Sequence, residues 1–228
     1  MRLRVKICCI GSVDEARLAI RHGADALGLV STMMTGPGVI PDGLISDIAA
    51  RVPPPVATFL LTSRTDAEAI IEQARHCRTG VLQLVDWIEG RTYPRLRRAL
   101  PGVRLVQVIH VLGPESVGEA LDAARLADAL LLDSGNPGAA LPELGGTGRV
   151  HDWALSRRIV EAAEVPVFLA GGLRADNVAA AVAAVRPFGV DVCTGVRSDG
   201  RLDGARLGAF FAAVGTVAGR ARLGGPGD

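Results

Sequence analysis

The chain has 228 residues, 49% hydrophobic and 21% charged, a balance that supports a large core and excludes an intrinsically disordered chain. Its 25 basic and 24 acidic residues leave a formal net charge of +1. No long-range field then draws it to nucleic acid or to an anionic membrane, and neither is expected as a partner.

Eight short β-branched or leucine-rich runs recur, at residues 3–9, 25–30, 56–62, 80–84, 103–111, 127–133, 165–170 and 188–194. Segments with apolar residues at helical spacing separate them. The first run ends Lys6-Ile7-Cys8-Cys9, and Ser12 with Glu15 has the spacing of a capping box opening a helix over Val13–His22. Further helices are predicted over Leu44–Arg51, Asp66–Cys77 with Thr65 at its start, and Glu115–Ala124. Ala154–Ala163, Ala175–Val185 and Gly204–Ala221 complete the set. Gly90 and Pro94 interrupt Ile88–Leu100, where proline opens a short fourth helix.

Eight strands alternating with eight helices fit a closed (β/α)₈ barrel, a TIM barrel, better than an open sheet. A single α/β domain over residues 1–222 is expected, with 223–228 as a flexible tail. Proline and glycine mark the short returns from helix to strand, whereas the longer loops follow strands and in a barrel build the site. Ser31–Pro41 and Ser134–His151 are the longest and are candidate substrate covers.

Cys8 ends the first strand and Asp133 the sixth, which places a thiol and a carboxyl at one rim as a candidate acid/base couple. A strand-end Cys is also a common small core residue, and a strand-end Asp a common helix cap. Strand alternation puts Cys8 on the face of Lys6, whose charge would lower its pKa, and Cys9 on the opposite face. Asp191 could orient a substrate or raise the pKa of Asp133, or it could simply pair with Lys6. Gly145-Gly146-Thr147-Gly148, Ala170-Gly171-Gly172-Leu173 and Thr194-Gly195-Val196-Arg197 follow the last three strands. There their backbone N–H groups form a candidate phosphate cradle.

Cys8, Cys9, Cys77 and Cys193 lack zinc spacing and do not form a disulfide framework, so no metal is expected and a reducing cytosol fits. The N-terminus Met1-Arg2-Leu3-Arg4-Val5-Lys6 puts charges where a signal peptide needs an apolar core, and no spanning apolar run follows. A cytoplasmic location is expected, with no membrane as a partner.

Several stretches together resemble the phosphoribosylanthranilate isomerase family. They are Lys6-Ile7-Cys8, His22–Gly28, Gln83-Leu84, Ala129–Ser134, Gly145–Gly148 with Asp152-Trp153, Leu169–Leu173 with Asn177-Val178, and Val185–Pro187 with Val190–Val192 and Gly195-Val196. The resemblance implies a (β/α)₈ barrel without metal or organic cofactor, acting in tryptophan biosynthesis by Amadori rearrangement of a phosphorylated sugar amine. It implies Cys8 as general base and Asp133 as general acid. Lys6, Gly146, Thr147, Gly171, Gly172, Asp191, Thr194, Gly195 and Arg197 are the residues expected to hold the substrate. Monomer and homodimer both fit.

The chain departs from the family pattern at the site. Cys9 stands where the family usually has glycine, and Thr35-Gly36-Pro37-Gly38 stands where the family's arginine reads the anthranilate carboxylate. Val85-Asp86 replaces the family's His-Gly, and Arg197 its glutamate. Loss of the guanidinium removes a contact worth about 1.5 to 3 kcal/mol. Arg197, Arg64 and His110 are the candidate replacements. Two alternatives to anthranilate follow: a phosphoribosyl amine without the carboxylate, or a non-catalytic sugar-phosphate binder.

Overall fold

The computed structural model describes residues 2–33, 36–135 and 151–223, with side chains to residue 216. Eight parallel strands close in sequence order: β1 (Arg4–Ile7), β2 (Ala26–Val30), β3 (Ala57–Thr62), β4 (Val81–Leu84), β5 (Arg104–His110), β6 (Ala129–Asp133), β7 (Val167–Leu169) and β8 (Gly189–Val192). β8 pairs back onto β1, with Lys6 opposite Asp191. The (β/α)₈ barrel expected from the alternation is the architecture observed.

Closure explains why the strands read as unbroken apolar runs rather than alternating ones. Helices cover their outer face, and inward side chains fill the barrel. Ile7, Leu27, Leu60, Leu82, Leu130 and Leu169 face the helices in the large outer core. Val81, Val106, Ala129, Phe59 and Phe168 fill the inside, where the rings of Phe59 and Phe168 meet edge to face at 6.1 Å.

The helices are α1 (Val13–Arg21), α2 (Asp42–Ala49), α3 (Ala67–Cys77), α4 (Thr92–Ala99), α5 (Ser116–Ala124), α6 (Trp153–Ala162), α7 (Val178–Val185) and α8 (Gly204–Leu223). In α4, Pro94 sits in the first turn, where an absent N–H costs no helical bond. The N-cap of α3 is Asp66 rather than Thr65, its carboxylate accepting from the Ala69 N–H at 3.0 Å. Ser12 caps α1 as expected, accepting from the Glu15 N–H, but the Glu15 carboxylate turns instead to the N–H groups of Gly11 and Leu202. The capping box is therefore only half formed.

β1 and β8 are shorter than the runs that predicted them. Past β1, Cys9 has φ 63°, in the left-handed region, and this ends the alternation of side chains between faces. Past β8 come a 3₁₀ turn (Thr194–Val196) and a small hairpin, β9 (Arg197–Ser198) with β10 (Arg201–Leu202), which the periodicity did not predict.

Candidate active site

One cavity opens at the carboxyl ends of the strands. Cys8, Cys9, Gln83, Asp133, Asp191, Cys193 and Thr194 supply its polar lining, and Met33, Pro37, Leu61, Val85, Val108 and Leu131 are among its apolar walls. The loop after β2 is tied down behind it by a buried network. Gln73 donates to Ser31 Oγ at 2.6 Å and to Asp42 at 3.0 Å, and accepts from Thr62 Oγ1 at 2.7 Å.

Lys6 lies beneath the mouth with its side chain fully buried. Its Nζ is 3.0 Å from Asp191 Oδ2 and 5.3 Å from the centre of the Phe59 ring. Burial alone would discharge it, but the Asp191 carboxylate beside it, with a smaller contribution from Cys8, holds the ammonium protonated. Gly28 on β2 makes room for this arrangement. A Cβ there would stand 2.7 Å from Cys8 Sγ and 3.0 Å from Lys6 Nζ.

The two adjacent cysteines do not divide between faces. Because Cys9 is left-handed, both side chains turn into the barrel interior and both line the cavity. The expectation that alternation separates them is thus corrected, and their chemistry distinguishes them instead. A hydrogen bond from Cys9, with the Lys6 charge, lowers the Cys8 pKa against the opposing effect of burial. Hydrogen bonds to Cys193 and Cys8, with burial, push Cys9 well above the ordinary thiol value. Cys8 is the thiol poised to ionise.

Asp133 stands three strands from Cys8 around the barrel, accepting from the Ser134 N–H at 2.7 Å. Burial, aided by the Asp191 charge, raises its pKa from 3.8 to about 6. An acid raised in the native state favours folding fully below its unfolded pKa, and that contribution is lost as pH rises through 6. Asp133→Asn is therefore expected to be more stable than the parent at pH 8 by about 2 to 3 kcal/mol. Urea melts should show the difference vanishing below about pH 4.

Two of the three glycine loops lie in the described residues; Gly146 and Thr147 of the third lie outside them. Gly171 and Gly172 have φ 83° and 61°. Asn177 braces their loop, donating to the Gly172 carbonyl at 2.9 Å and accepting from the Arg174 N–H at 2.8 Å. Gly195 presses against the same loop, since a Cβ on it would meet the Leu173 carbonyl at 2.0 Å. Thr194 opens the 3₁₀ turn beside it.

Arg197 points elsewhere than the site. Its guanidinium pairs with Glu15 at 3.1 Å and donates to the carbonyls of Cys8, Cys9 and Gly200. The 3₁₀ turn carries it behind the end of β1, and it is not among the residues lining the cavity. Arg64 is exposed, and His110, the β-register partner of Asp133, is also outside the lining. Burial lowers the His110 pKa against the opposing effects of the Val85 backbone and the Asp86 charge.

The sequence reading did not single out Gln83 and His151 for a site. Gln83 lines the cavity with a buried Oε1 that has no partner among the described residues. Its signal was present, as the one polar residue of the β4 run Val81–Leu84. His151 Nδ1 would be 2.9 Å from a Cβ on Gly171, while its Nε2 shares a 2.7 Å hydrogen bond with Ser156 Oγ. No sequence pattern marked it.

Residues 5–213 match the family model for N-(5'phosphoribosyl)anthranilate (PRA) isomerase. The chain belongs to this family. An N-(5'-phosphoribosyl)anthranilate isomerase of Desulforudis audaxviator is 41% identical over 213 residues, covering 91% of this chain and 95% of that protein. Its counterpart in Methanocella arvoryzae is 34% identical over 204 residues, 90% and 93% of the two chains. Among solved structures, the isomerase of Pyrococcus furiosus superposes with a TM-score of 0.78 at 25% identity, covering 95% of this chain and 100% of its own. That of Thermus thermophilus does so with 0.79 at 26%, over 94% and 100%.

The family's usual glycine after the cysteine gains a physical reason from the φ of 63° at Cys9, which glycine adopts without strain. Where the family commonly carries a carboxylate-reading arginine, Gly36 and Pro37 line the cavity here, beside Met33. None of the described lining residues is cationic.

Proposed function

We propose that the protein is an N-(5'-phosphoribosyl)anthranilate isomerase of tryptophan biosynthesis. It would open the furanose ring of an N-phosphoribosyl arylamine and convert the aldose to an amino-deoxyketose phosphate. The observation that carries this reading is Cys8 and Asp133 lining one cavity, the thiol pKa lowered and the carboxyl pKa raised.

Each step has its group. Asp133 donates a proton to the ring oxygen as the C1–O bond breaks, leaving a Schiff base. The Cys8 thiolate then removes the proton on the second sugar carbon, and the resulting enolamine tautomerises to the ketone. Lys6 and Asp191 hold Cys8 and the substrate hydroxyls in place. The loops bearing Gly171, Gly172, Thr194 and Gly195, with Gly146 and Thr147, cradle the phosphate. Substrate is the only partner this chemistry needs, and a monomer or a homodimer would serve. Among the described residues no helix is long and apolar enough to cross a membrane.

A strain lacking the isomerase should grow without tryptophan when it expresses this chain; no growth despite soluble expression would refute the assignment. One limb of kcat/KM against pH should lie near 6 and disappear in Asp133→Asn. Gly195→Ala should push the Leu173 carbonyl and the Gly171–Gly172 loop aside, lowering the melting temperature and raising KM by roughly one to two powers of ten, the effect of losing a phosphate contact worth about 1.5 to 3 kcal/mol, with kcat less affected.

The apolar ring end, with Met33, Pro37 and Val85 on the cavity wall, favours a second reading in which the arylamine lacks the carboxylate. Comparable kcat/KM for phosphoribosyl amines with and without that group would support it. A large preference for the carboxylate would exclude it.

A further inference from the structure

Four thiols are free, and three of them crowd one side of the mouth where β1 and β8 end. The isomerisation uses only Cys8. Cys9 enters it only through its effect on the Cys8 pKa and Cys193 takes no step in it, yet Cys193 Sγ lies 2.6 Å from Cys9 Sγ, within hydrogen-bond reach. Three features hold them there. The left-handed backbone at Cys9 swings its side chain inward instead of toward the helices. Gly38 leaves room for it, since a Cβ on that residue would be 2.4 Å from Cys9 Cβ. Arg197, anchored on Glu15 from α1, grips the carbonyls of Cys8 and Cys9 and fixes the end of β1 against the turn that follows β8.

We propose that Cys9 and Cys193 form a reversible disulfide at the active-site mouth, a modification site with hydrogen peroxide as its oxidant. Cys193 is the more exposed of the two and faces the cavity. Its thiolate attacks one peroxide oxygen, the O–O bond breaks, and the hydroxide released takes up a proton to leave as water, with sulfenic acid on Cys193. Cys9 gives up its proton and attacks that sulphur, the S–O bond breaks, and a second water leaves. Two thiols have lost two electrons, and peroxide has become two waters. The sulphurs need to approach only to about 2.05 Å for the bond.

Oxidation acts on the neighbouring base. Cys9 as a thiol donates to Cys8 and is the largest influence lowering its pKa; in a disulfide it has no proton to donate. Lys6 on β1 still favours the Cys8 thiolate, while Asp191 on β8 opposes it. The oxidised protein should therefore turn over more slowly at neutral pH, by about tenfold for each unit by which Cys8 rises. Only this activity readout rests on the proposed isomerisation; the disulfide itself does not.

The test is to treat the full chain with hydrogen peroxide, block remaining thiols with iodoacetamide, and map the cysteines by fragmentation mass spectrometry. The expected result is a cross-link between Cys9 and Cys193, reversed by dithiothreitol, with Cys77 still alkylatable after unfolding. Cys193→Ser should lose the cross-link, and its activity should escape the part of peroxide inhibition that dithiothreitol reverses. Cys9 and Cys193 both remaining as thiols, or a cross-link mapping to Cys8, would overturn the proposal. If the reduced protein isomerises nothing, the proposed function fails while the map still decides the disulfide.

Discussion

Cys8→Ala should lower kcat/KM by about 10² to 10⁴, the range of a positioned acid or base. The fold should be unchanged, since the side chain is small and lines the cavity. Cys9→Gly separates the two thiols. It removes the left-handed strain at a position the family fills with glycine, so it should melt higher. At neutral pH it should turn over more slowly, as the oxidised protein does, because Cys8 has lost its donor, and it should recover at higher pH as the thiol limb of its profile moves upward. Equal losses in the two variants would mean that the base is not Cys8 alone.

Lys6→Met should be the most destabilising single change at the site. It leaves Asp191 in the barrel interior without its counter-ion, and breaking a buried pair in this way costs about 3 to 5 kcal/mol. For a chain of this size that is on the order of 10 °C in melting temperature. The loss should be greatest at pH 8 and shrink in acid, where Asp191 takes up a proton. Adding Asp191→Asn should recover much of it, because the uncompensated charge is then gone. Thermal melts of the two variants decide this; a double variant no more stable than Lys6→Met would contradict the pairing.

The barrel was legible because a parallel strand covered on both faces has no polar side. Runs such as Ala129–Asp133 and Ala26–Val30 therefore stand out as unbroken apolar blocks between helical segments. Cys8, Asp133, Lys6 and Asp191 were legible as polar groups in such blocks, and the register pairing Lys6 with Asp191 brings two of them together. What failed to show was whatever depends on a single torsion or on a distant partner. Alternation assumes extended backbone, and one positive φ at Cys9 moves its thiol from the helix side to the cavity. Arg197 was placed at the correct loop, but its direction is set by Glu15, which lies far away in sequence. Gln83 was overlooked because it appeared only as part of a matching stretch, although an unpartnered amide on a buried strand is a signal in itself.

Conversion of phosphoribosylanthranilate by the purified protein, followed by quantifying aldose and ketose phosphates together, is the most direct test of the assigned chemistry. Each mole of aldose consumed should appear as a mole of amino-deoxyketose phosphate, and Cys8→Ala should slow this by at least about a hundredfold. A folded protein that leaves the substrate unchanged near neutral pH, or a Cys8→Ala variant as fast as the parent, would contradict it.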